Sequence, residues 1–408
     1  MGIRQYLYTN KSIAPLAVLR IAFGAVLLYS TLRFLAKGWV REFYIAPHFH
    51  FTFYGFDWVR PLPAAGMYSV FWLMAVAALF ITAGFLYRAA VSLFLVCFVY
   101  VELLDKTYYL NHYYFVSLFV FLLLLVPANR YWSVDVWLRP VLKATLVPAW
   151  TIDIFRVQLL VVYLFAGLSK LTVDWLFHAE PLRIWLPAQG LPMWMAYVFS
   201  WCGALFDLSI GFLLWWRRTR VIAYVFVVIF HIVTVLLFKI GVFPYVMIAA
   251  TLVFFEWGTL EGPAVRFRMP GVLLGSYFAL QVLVPLRYLL YPGRLLWTEQ
   301  GYRFSWRVML MEKSGTAFFY VREGQRRGEV NNAQFLTPLQ ERQMATQPDM
   351  ILQYAHYLSG VYGGKPVTAE SYVTLNGSGS RLYLDSTVDL SRQCENFLPK
   401  KWILSFQP

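Results

Sequence analysis

Charged residues are scarce in this chain. Only 14% of its 408 residues are Asp, Glu, Lys or Arg, whereas 60% are hydrophobic. A membrane-spanning helix needs roughly 20 mostly apolar residues, and runs of that kind recur up to about residue 291. Together these features exclude an ordinary soluble protein and predict a polytopic membrane protein.

Cysteine is equally rare, and the common catalytic motifs are missing. Cys97, Cys202 and Cys394 have no CxxC spacing and no nearby histidine, which argues against a disulfide framework or a zinc site. There is no Walker loop, no GxGxxG before a helix and no GxSxG. His48 and His50 share the spacing of one strand face, but nothing nearby completes the three or four ligands that zinc takes. No metal site is predicted.

The net charge of +14 is best explained by membrane topology. Arginines cluster in short loops, as at Arg217 and Arg218, where anionic headgroups and the positive-inside bias account for them. No basic face interleaved with aromatics stands outside the membrane region, so no nucleic-acid partner is predicted. The opposite loops carry fewer cations, among them Lys37, Lys106 and Lys239. This bias predicts a cytoplasmic N-terminus and a periplasmic or lumenal C-terminal region.

The apolar runs predict an all-α bundle of about nine transmembrane helices over residues 1–291. Their predicted bounds are 13–35, 67–87, 89–104, 112–128, 152–172, 193–216, 219–238, 242–257 and 270–291. Residues 292–408 have no long apolar runs, which predicts a small extramembrane α+β domain. We call this region the outer domain. Within it we expect strands at 303–311 and 316–322 around a turn at 313–315, a helix at 338–360, and a hairpin of 371–375 with 381–385.

The stretch 102–115 is unusually rich in polar and titratable side chains, although it lies between two apolar runs. It holds Asp105, Lys106, Asn111 and His112 together with four tyrosines. An amine at the edge of the hydrocarbon is expensive to keep as ammonium, which makes Lys106 a candidate base near neutral pH. The structural alternative is a lysine that snorkels to the interface and pairs with Asp105.

Further polar residues stand out in the sequence, two of them at or within apolar runs and two beyond residue 292. Lys170 ends one run, and its structural explanation is a pair with Asp174, four residues on. His231 lies inside another run, where a helix-to-helix hydrogen bond is as good an explanation as a functional role. Arg303 and Arg307 open the outer domain; a strand start is the structural explanation, and a contact with an acidic substrate is the functional one.

At Asp105-Lys106-Thr107, followed by Asn111-His112-Tyr113, the chain resembles the vitamin K-dependent gamma-glutamyl carboxylase family of HTTM-domain membrane proteins, in a short, bacterial-type form. Further matches follow in the same order along the chain. They are Arg60–Pro63, Tyr131–Asp135, Phe165–Gly167 with Lys170, Asp174 and Trp175, Asp207–Ser209, Gly211–Leu214, Phe230-His231, Tyr245–Met247, Gly301-Tyr302 and Ser305-Trp306.

The resemblance implies a specific chemistry. Lys106 would deprotonate vitamin K hydroquinone, a reduced menaquinone or phylloquinone, and the quinol anion would react with oxygen to give a strong alkoxide base. That base would take the γ-proton of a peptide glutamate, and the carbanion would attack carbon dioxide. The products would be γ-carboxyglutamate and the quinone epoxide, which makes the expected enzyme a carbon–carbon lyase without a metal.

The remaining site residues are expected around this lysine. The quinol would be held by Asp105, Asn111, His112, His231 and Tyr245. The substrate glutamate would lie near Arg303, Trp306, Arg307 and Met309, and either arginine could hold its carboxylate by a bidentate contact. Lys170, Asp174 and Trp175 match the family without an assigned role. At Arg307 this chain differs from the animal enzymes that it resembles, because they carry an acidic residue at the matching position.

Two alternatives stay open. One is a quinol oxygenase or epoxidase that keeps the Lys106 chemistry without carboxylating a protein. The other is a non-enzymatic quinone- or lipid-binding protein in which Lys106 is structural. Membrane lipid and a glutamate-containing peptide or protein are the expected partners, and no particular oligomeric state is indicated.

Overall fold

The computed structural model describes residues 2–238, 240–258, 260–324 and 326–407. Lys239, one of the predicted outer-loop cations, lies outside these residues. The described chain has three clusters of buried hydrophobic residues. The largest lies within a helical bundle, a second within a smaller sheet-containing region, and a small third one around Trp175, Leu182 and Ala204.

Within the residues that the structure describes, nine apolar helical segments form the bundle, and we number them in chain order. They are α1 Ala14–Ala36, α2 Ala64–Ala83, α3 Tyr87–Leu104, α4 Asn111–Leu124, α5 Trp150–Leu168, α6 Met193–Trp215, α7 Arg220–Leu237, α8 Phe243–Thr251 and α9 Gly271–Leu286. Their apolar faces extend to the surface, and α7 exposes Val221, Ile222 and Leu236. Such a surface suits contact with lipid, and the chain is an integral membrane protein.

Among the described residues, seven of these segments are long and apolar enough to cross a membrane, α9 when it is counted through Leu290, so the predicted nine spans are not confirmed. Asn111–Leu124 and Phe243–Phe254 are shorter. The first begins at Asn111 but ends at Leu124, three residues before Pro127, which cannot continue a helix. The predicted helix 112–128 therefore ends four residues early, at Leu124.

Shorter elements connect the spans. The short helices are Ile3–Leu7, Arg41–Ile45, Val134–Leu138, Pro140–Leu142, Val173–Leu176, Leu182–Trp185, Pro187–Gln189, Leu252–Phe254, Arg287–Leu290 and Leu295–Thr298. Asn10–Ser12 and Leu146–Pro148 pair as two antiparallel strands beside the start of α1.

Two features fix the bundle internally. Helices α5 and α6 approach closely at Gly167, where an added Cβ would lie 2.8 Å from the Leu208 backbone nitrogen, the small-residue contact common between membrane helices. The buried guanidinium of Arg20 in α1 donates to the carbonyl oxygens of Ala128 at 3.1 Å and Ile81 at 2.8 Å. A charge inside the bundle is thus satisfied by helix-end carbonyls rather than left unpaired.

The outer domain is a four-stranded antiparallel sheet covered by helices. Its elements are β1 Lys313–Glu323, β2 Arg326–Val330, β3 Val367–Leu375, β4 Arg381–Leu382, α10 Pro338–Met344 and α11 Pro348–Val361, with 3-10 turns at Asn332–Gln334 and Leu390–Arg392. The strand order is β2-β1-β3-β4. A small α+β region beyond the bundle, as predicted, is therefore present.

The sequence patterns were correct for one hairpin and wrong for the other. Strands β3 and β4 pair around residues 376–379 as predicted. The predicted turn at 313–315 instead lies within β1. Gly315 is required there by close packing, since a Cβ would come within 2.7 Å of the Tyr372 carbonyl oxygen of β3. Residues 303–311 form no strand, and the predicted helix 338–360 is interrupted before Pro348.

The connector between α1 and α2 docks the outer domain on the bundle. Phe51 is fully buried in the core of the outer domain, and neighbouring Phe49 packs on Tyr357 at 4.5 Å between ring centroids. The Phe51 carbonyl oxygen accepts a 2.7 Å hydrogen bond from the Lys106 backbone nitrogen. The connector therefore fixes the α3–α4 junction directly beneath the outer domain.

Candidate active site

A cavity of about 1560 Å³ lies where the ends of the membrane helices meet the outer domain. Apolar and aromatic side chains form most of its wall, including Phe115, Phe206 and Phe243. Lys106, Arg303 and Arg307 also line it. A large apolar cavity with a few convergent polar groups is the usual form of a small-molecule site.

The end of α3 positions Lys106. Asp105 leaves the helical conformation, and its Oδ1 accepts a hydrogen bond from the Thr107 backbone nitrogen at 2.9 Å, which caps the 3-10 turn Lys106–Tyr108. Asp105 Oδ2 accepts from Gln340 Nε2 of α10, also at 2.9 Å. Burial raises the pKa of Asp105 to about 6, against the lowering effect of these hydrogen bonds.

Lys106 does not pair with Asp105, so the structural alternative raised from the sequence is wrong in its partner. The side chain of Lys106 is only 2% exposed, and its Nζ lies 2.9 Å from Asp349 Oδ2 and 3.8 Å from Glu395 Oε1. Both carboxylates belong to the outer domain. Lys106, which belongs to the membrane bundle, is thus paired with carboxylates of the outer domain.

Arg303 lies on the other side of Asp349. Its guanidinium donates to Asp349 Oδ2 at 2.6 Å and also to the side-chain oxygen of Gln347. Burial alone would raise the pKa of Asp349, but the Arg303 and Lys106 cations outweigh it and hold that pKa well below its usual range. Arg303 is therefore already occupied by a carboxylate of the protein itself.

Arg307 is placed differently. Its guanidinium stacks over the Tyr288 ring, 4.4 Å from the centroid, and its buried Nε has no hydrogen-bond partner among the described residues. No carboxylate of the described chain lies within 4 Å of it, which leaves this cation open toward the cavity. The segment that carries it has left-handed backbone at Trp306 and Met309, with φ of 60° and 58°. Strain of this kind in non-glycine residues clusters at functional sites.

Trp306 and Met309 both line the cavity beside Arg307. The Trp306 ring stacks on Tyr114 at 5.0 Å, and its buried Nε1 donates to none of the described residues. The substrate-binding residues predicted from the sequence are thus brought together at one wall. Their roles stay predictions.

Asn111 connects this wall to the α3–α4 junction, which carries Lys106. Its Nδ2 donates to the Arg307 carbonyl oxygen at 2.8 Å, and its Oδ1 accepts from the Tyr109 hydroxyl at 2.9 Å. The Tyr109 oxygen in turn accepts from the Phe304 backbone nitrogen at 2.8 Å. Asn111 therefore holds the segment 303–307 in place while it also lines the cavity.

The two predicted histidines line the same cavity from different helices. His112 of α4 and His231 of α7 both pack against Phe243, at centroid distances of 5.7 and 5.9 Å. His231 Nδ1 lies 2.8 Å from the Val227 carbonyl oxygen, so Nδ1 is the donor and Nε2 is left as an acceptor. Tyr245 is not brought to the cavity; it is 47% exposed and packs edge-on against Tyr29.

The predicted pair of Lys170 with Asp174 is wrong. Lys170 Nζ bonds to Asp207 Oδ2 of α6 at 2.5 Å, whereas Asp174 pairs with Arg294 at the start of the outer region. A buried ammonium needs a buried partner, and Asp174 lies beyond the end of α5 in the short helix Val173–Leu176, where its side chain is more exposed than that of Asp207. Lys170 and Trp175 line the cavity, and Trp175 Nε1 donates to the Ser200 carbonyl oxygen at 2.8 Å.

Asp349, Glu395 and Gln347 were missed from the sequence. Each lies more than 200 residues from Lys106, and no local pattern joins an outer-domain acid to a membrane lysine. A weak signal was present at Pro348-Asp349, since Pro followed by an acid is typical of a helix N-terminus. Within the described residues, no group of three or more His, Cys, Asp or Glu is arranged to hold a metal.

Two family models match the chain. One is described as the HTTM domain and covers residues 8–258. The other is described as the vitamin K-dependent gamma-carboxylase, lumenal domain, and covers residues 267–408, which includes α9 as well as the outer domain. No solved structure matches the chain. The division predicted at residue 291 stays a prediction.

Proposed function

This chain belongs to the vitamin K-dependent gamma-glutamyl carboxylase family, and we propose that it carboxylates peptidyl glutamate while it oxygenates reduced vitamin K to the epoxide. One observation carries the proposal. Lys106 is buried and lines a large apolar cavity that Arg307 also lines. A potential base and a potential binding site for a carboxylate therefore lie in the same cavity.

The cavity suits a prenylated quinol. Its volume of about 1560 Å³ exceeds the 300–1000 Å³ typical of drug-sized ligands, which leaves room for a ring and part of an apolar tail. Residues of its wall carry buried polar atoms that have no hydrogen-bond partner among the described residues, including Thr107 Oγ1, Tyr163 Oη and Trp306 Nε1. Buried polar groups without partners are uncommon, and the hydroxyls of a quinol ring would satisfy them.

We assign the first proton transfer to Lys106. As a free amine it would take the proton of the quinol hydroxyl, and Asp349 at 2.9 Å would stabilise the ammonium that forms. Reduced vitamin K, when bound, supplies with oxygen the strong base that no side chain can supply. The apolar wall excludes water, which would otherwise quench that base.

We assign the substrate carboxylate to Arg307. Both arginines were candidates from the sequence, but Arg303 already holds Asp349 and Gln347. A planar guanidinium without a carboxylate partner matches a glutamate carboxylate by two parallel hydrogen bonds. Asn111 fixes the Arg307 backbone to the lysine junction, which would keep the peptide glutamate close to the quinol.

The proposal is tested with purified protein in nanodiscs, given reduced vitamin K, oxygen, labelled bicarbonate and a glutamate-rich peptide. Epoxide formation together with label in the peptide is the expected result. Epoxide without label would overturn the carboxylation and leave the quinol oxygenase. Neither product, from protein that still binds the quinol, would leave a quinone-binding protein.

A further inference from the structure

Lys106 has two carboxylate neighbours, and they are held very differently. Asp349 Oδ2 lies 2.9 Å from Nζ and is also bound by Arg303. Glu395 Oε1 lies at 3.8 Å, and its carboxylate accepts no hydrogen bond from any residue in the described part of the chain. One acid is thus clamped between two cations, and the other stands beside the lysine with its hydrogen-bonding capacity unused.

The two acids also differ in how readily they accept a proton. Arg303 and Lys106 hold the pKa of Asp349 below its usual range against the effect of burial, so it stays ionised. Burial raises the pKa of Glu395, and the nearby Asp349 charge raises it further, against the lowering effect of Lys106. Neighbouring acids whose pKa values are pushed apart usually divide the roles of fixed charge and proton carrier.

Glu395 is also partly exposed to water, as is Asp349, whose side chain is 34% exposed but whose carboxylate is held by Arg303. The Lys106 side chain is 2% exposed, whereas that of Glu395 is 18% exposed. The next residue before it, Cys394, is at the surface. The other titratable groups that face Glu395 are Asp57, His356 and Lys400, and Lys400 binds the carbonyl oxygens of Cys394 and Asn396.

A base that takes a proton in every turnover has to lose it again. We propose that Glu395 accepts this proton from the Lys106 ammonium and releases it to water at the outer face, which restores the free amine. This inference rests on the proposed function, because it assumes that Lys106 is the base.

The transfer balances without another reactant. An N–H bond of the ammonium breaks and an O–H bond forms on the Glu395 carboxylate; that O–H bond then breaks as the proton passes to water. The 3.8 Å separation exceeds a hydrogen bond, and a small side-chain movement or one bridging water closes it. Asp349 keeps its charge throughout and holds Lys106 in position.

The test is Glu395→Gln in the full chain in nanodiscs, with epoxide followed by rapid mixing. We expect a first turnover at the wild-type rate, about one epoxide per enzyme, and later turnovers slowed roughly 10²-fold, the low end for loss of a proton-transfer group. A small buffer such as imidazole should restore the slow phase of Glu395→Gln in proportion to its concentration. Glu395→Asp should retain part of the rate.

Glu323→Gln makes the same acid-to-amide change on the exposed end of β1, where the acid pairs with Lys365, and should behave as the wild type. Equal slowing of the first and later turnovers, without buffer rescue, would show a structural role and overturn the inference. An unchanged rate in Glu395→Gln would overturn it as well. Absence of epoxide from the wild type would instead overturn the proposed function.

Discussion

At the scale of single residues, Lys106 is the position on which the proposed chemistry depends. Removing its side chain leaves Asp349 bound to Arg303, and Glu395, which loses its lysine neighbour, is partly exposed to water, so the protein should still fold. We predict that Lys106→Ala lowers epoxide formation and carboxylation together, by roughly 10²–10⁴-fold, the usual effect of losing a general base.

Both products are measured in the same reaction, and small exogenous amines should restore part of the activity of Lys106→Ala. Lys365→Ala removes an exposed lysine that pairs with Glu323 at the surface, and serves as the matched control. Unchanged epoxide formation in Lys106→Ala would remove this lysine from the mechanism.

Arg307 should act on peptide binding rather than on quinol chemistry. A charge-assisted hydrogen bond contributes about 1.5–3 kcal/mol, so Arg307→Met should raise KM for the peptide roughly 10- to 100-fold. The rate of epoxide formation at saturating peptide should change little. Arg307→Lys, which keeps the charge but loses the planar fork, should lie between the two.

Arg303→Met provides the contrast for Arg307. It would release Asp349 and Gln347, so it should lower kcat for epoxide formation as well as carboxylation. If the peptide KM were unchanged in Arg307→Met and raised only in Arg303→Met, Arg303 rather than Arg307 would be the residue that binds the substrate carboxylate.

Part of the candidate site could be predicted, because polar side chains are rare among the apolar runs and stand out. Lys106, Asn111, His112 and His231 were found in this way, and all four line the cavity. Their partners could not be found. Asp349 and Glu395 lie in an ordinary polar domain, where a carboxylate is typical of any solvated surface. Tyr245 was included only because it matched the family.

At the scale of elements, the alternating patterns predicted strands but not where they turn. Glycine marks both turns and close contacts between strands, and the sequence does not separate the two. Gly315 is a contact glycine, whereas the turn after β1 comes at Gly324, which has a left-handed φ of 59°. The hairpin around residues 376–379 was predicted correctly, since Asn376 and Gly377 both adopt the positive φ that such a turn needs.

The junction after α3 makes a pH-dependent contribution to stability. Burial raises the pKa of Asp105 from 3.8 to about 6, so the folded protein holds this proton more tightly than the unfolded chain does. The favourable contribution is fully present below about pH 4 and is lost as the pH rises through 6. The pKa of Asp105 differs by about two between the folded and the unfolded protein, which corresponds to roughly 3 kcal/mol of the free energy of unfolding.

Melting temperatures of the wild type and of Asp105→Asn, measured in one detergent from pH 4 to pH 7, test this prediction. Asn does not titrate, so the wild type should lose stability relative to the variant across this range and keep a constant difference above it. The contributions of other groups cancel in the comparison. A difference that does not change with pH would show that Asp105 ionises normally in the folded protein.

At the scale of the whole molecule, the site exists only because the two domains meet. Lys106 comes from the bundle, whereas Asp349, Glu395 and Arg303 come from the region beyond α9. Composition predicted both domains and their order along the chain. It could not predict their docking, which depends on Phe51 of the aromatic connector entering the core of the outer domain.

Topology decides which substrates reach this site, and the positive-inside bias predicts that the outer domain faces the periplasm or lumen. Loops at the end of the bundle away from Lys106 carry Arg130, Arg139 and Lys143, which follow α4. Cys394 is exposed in the outer domain, so it can report the orientation. In a Cys97→Ala, Cys202→Ala background, an impermeant maleimide should label Cys394 in sealed right-side-out membranes.

The matched control is Arg139→Cys in a chain with the three natural cysteines changed to Ala. Arg139 is exposed and lies at the opposite end of the bundle, so it should be labelled only after the membranes are opened. The reverse pattern would put the outer domain and the mouth of the cavity in the cytoplasm. A secreted or lumenal protein could then no longer be the glutamate substrate, because its peptide would never meet Lys106 and Arg307.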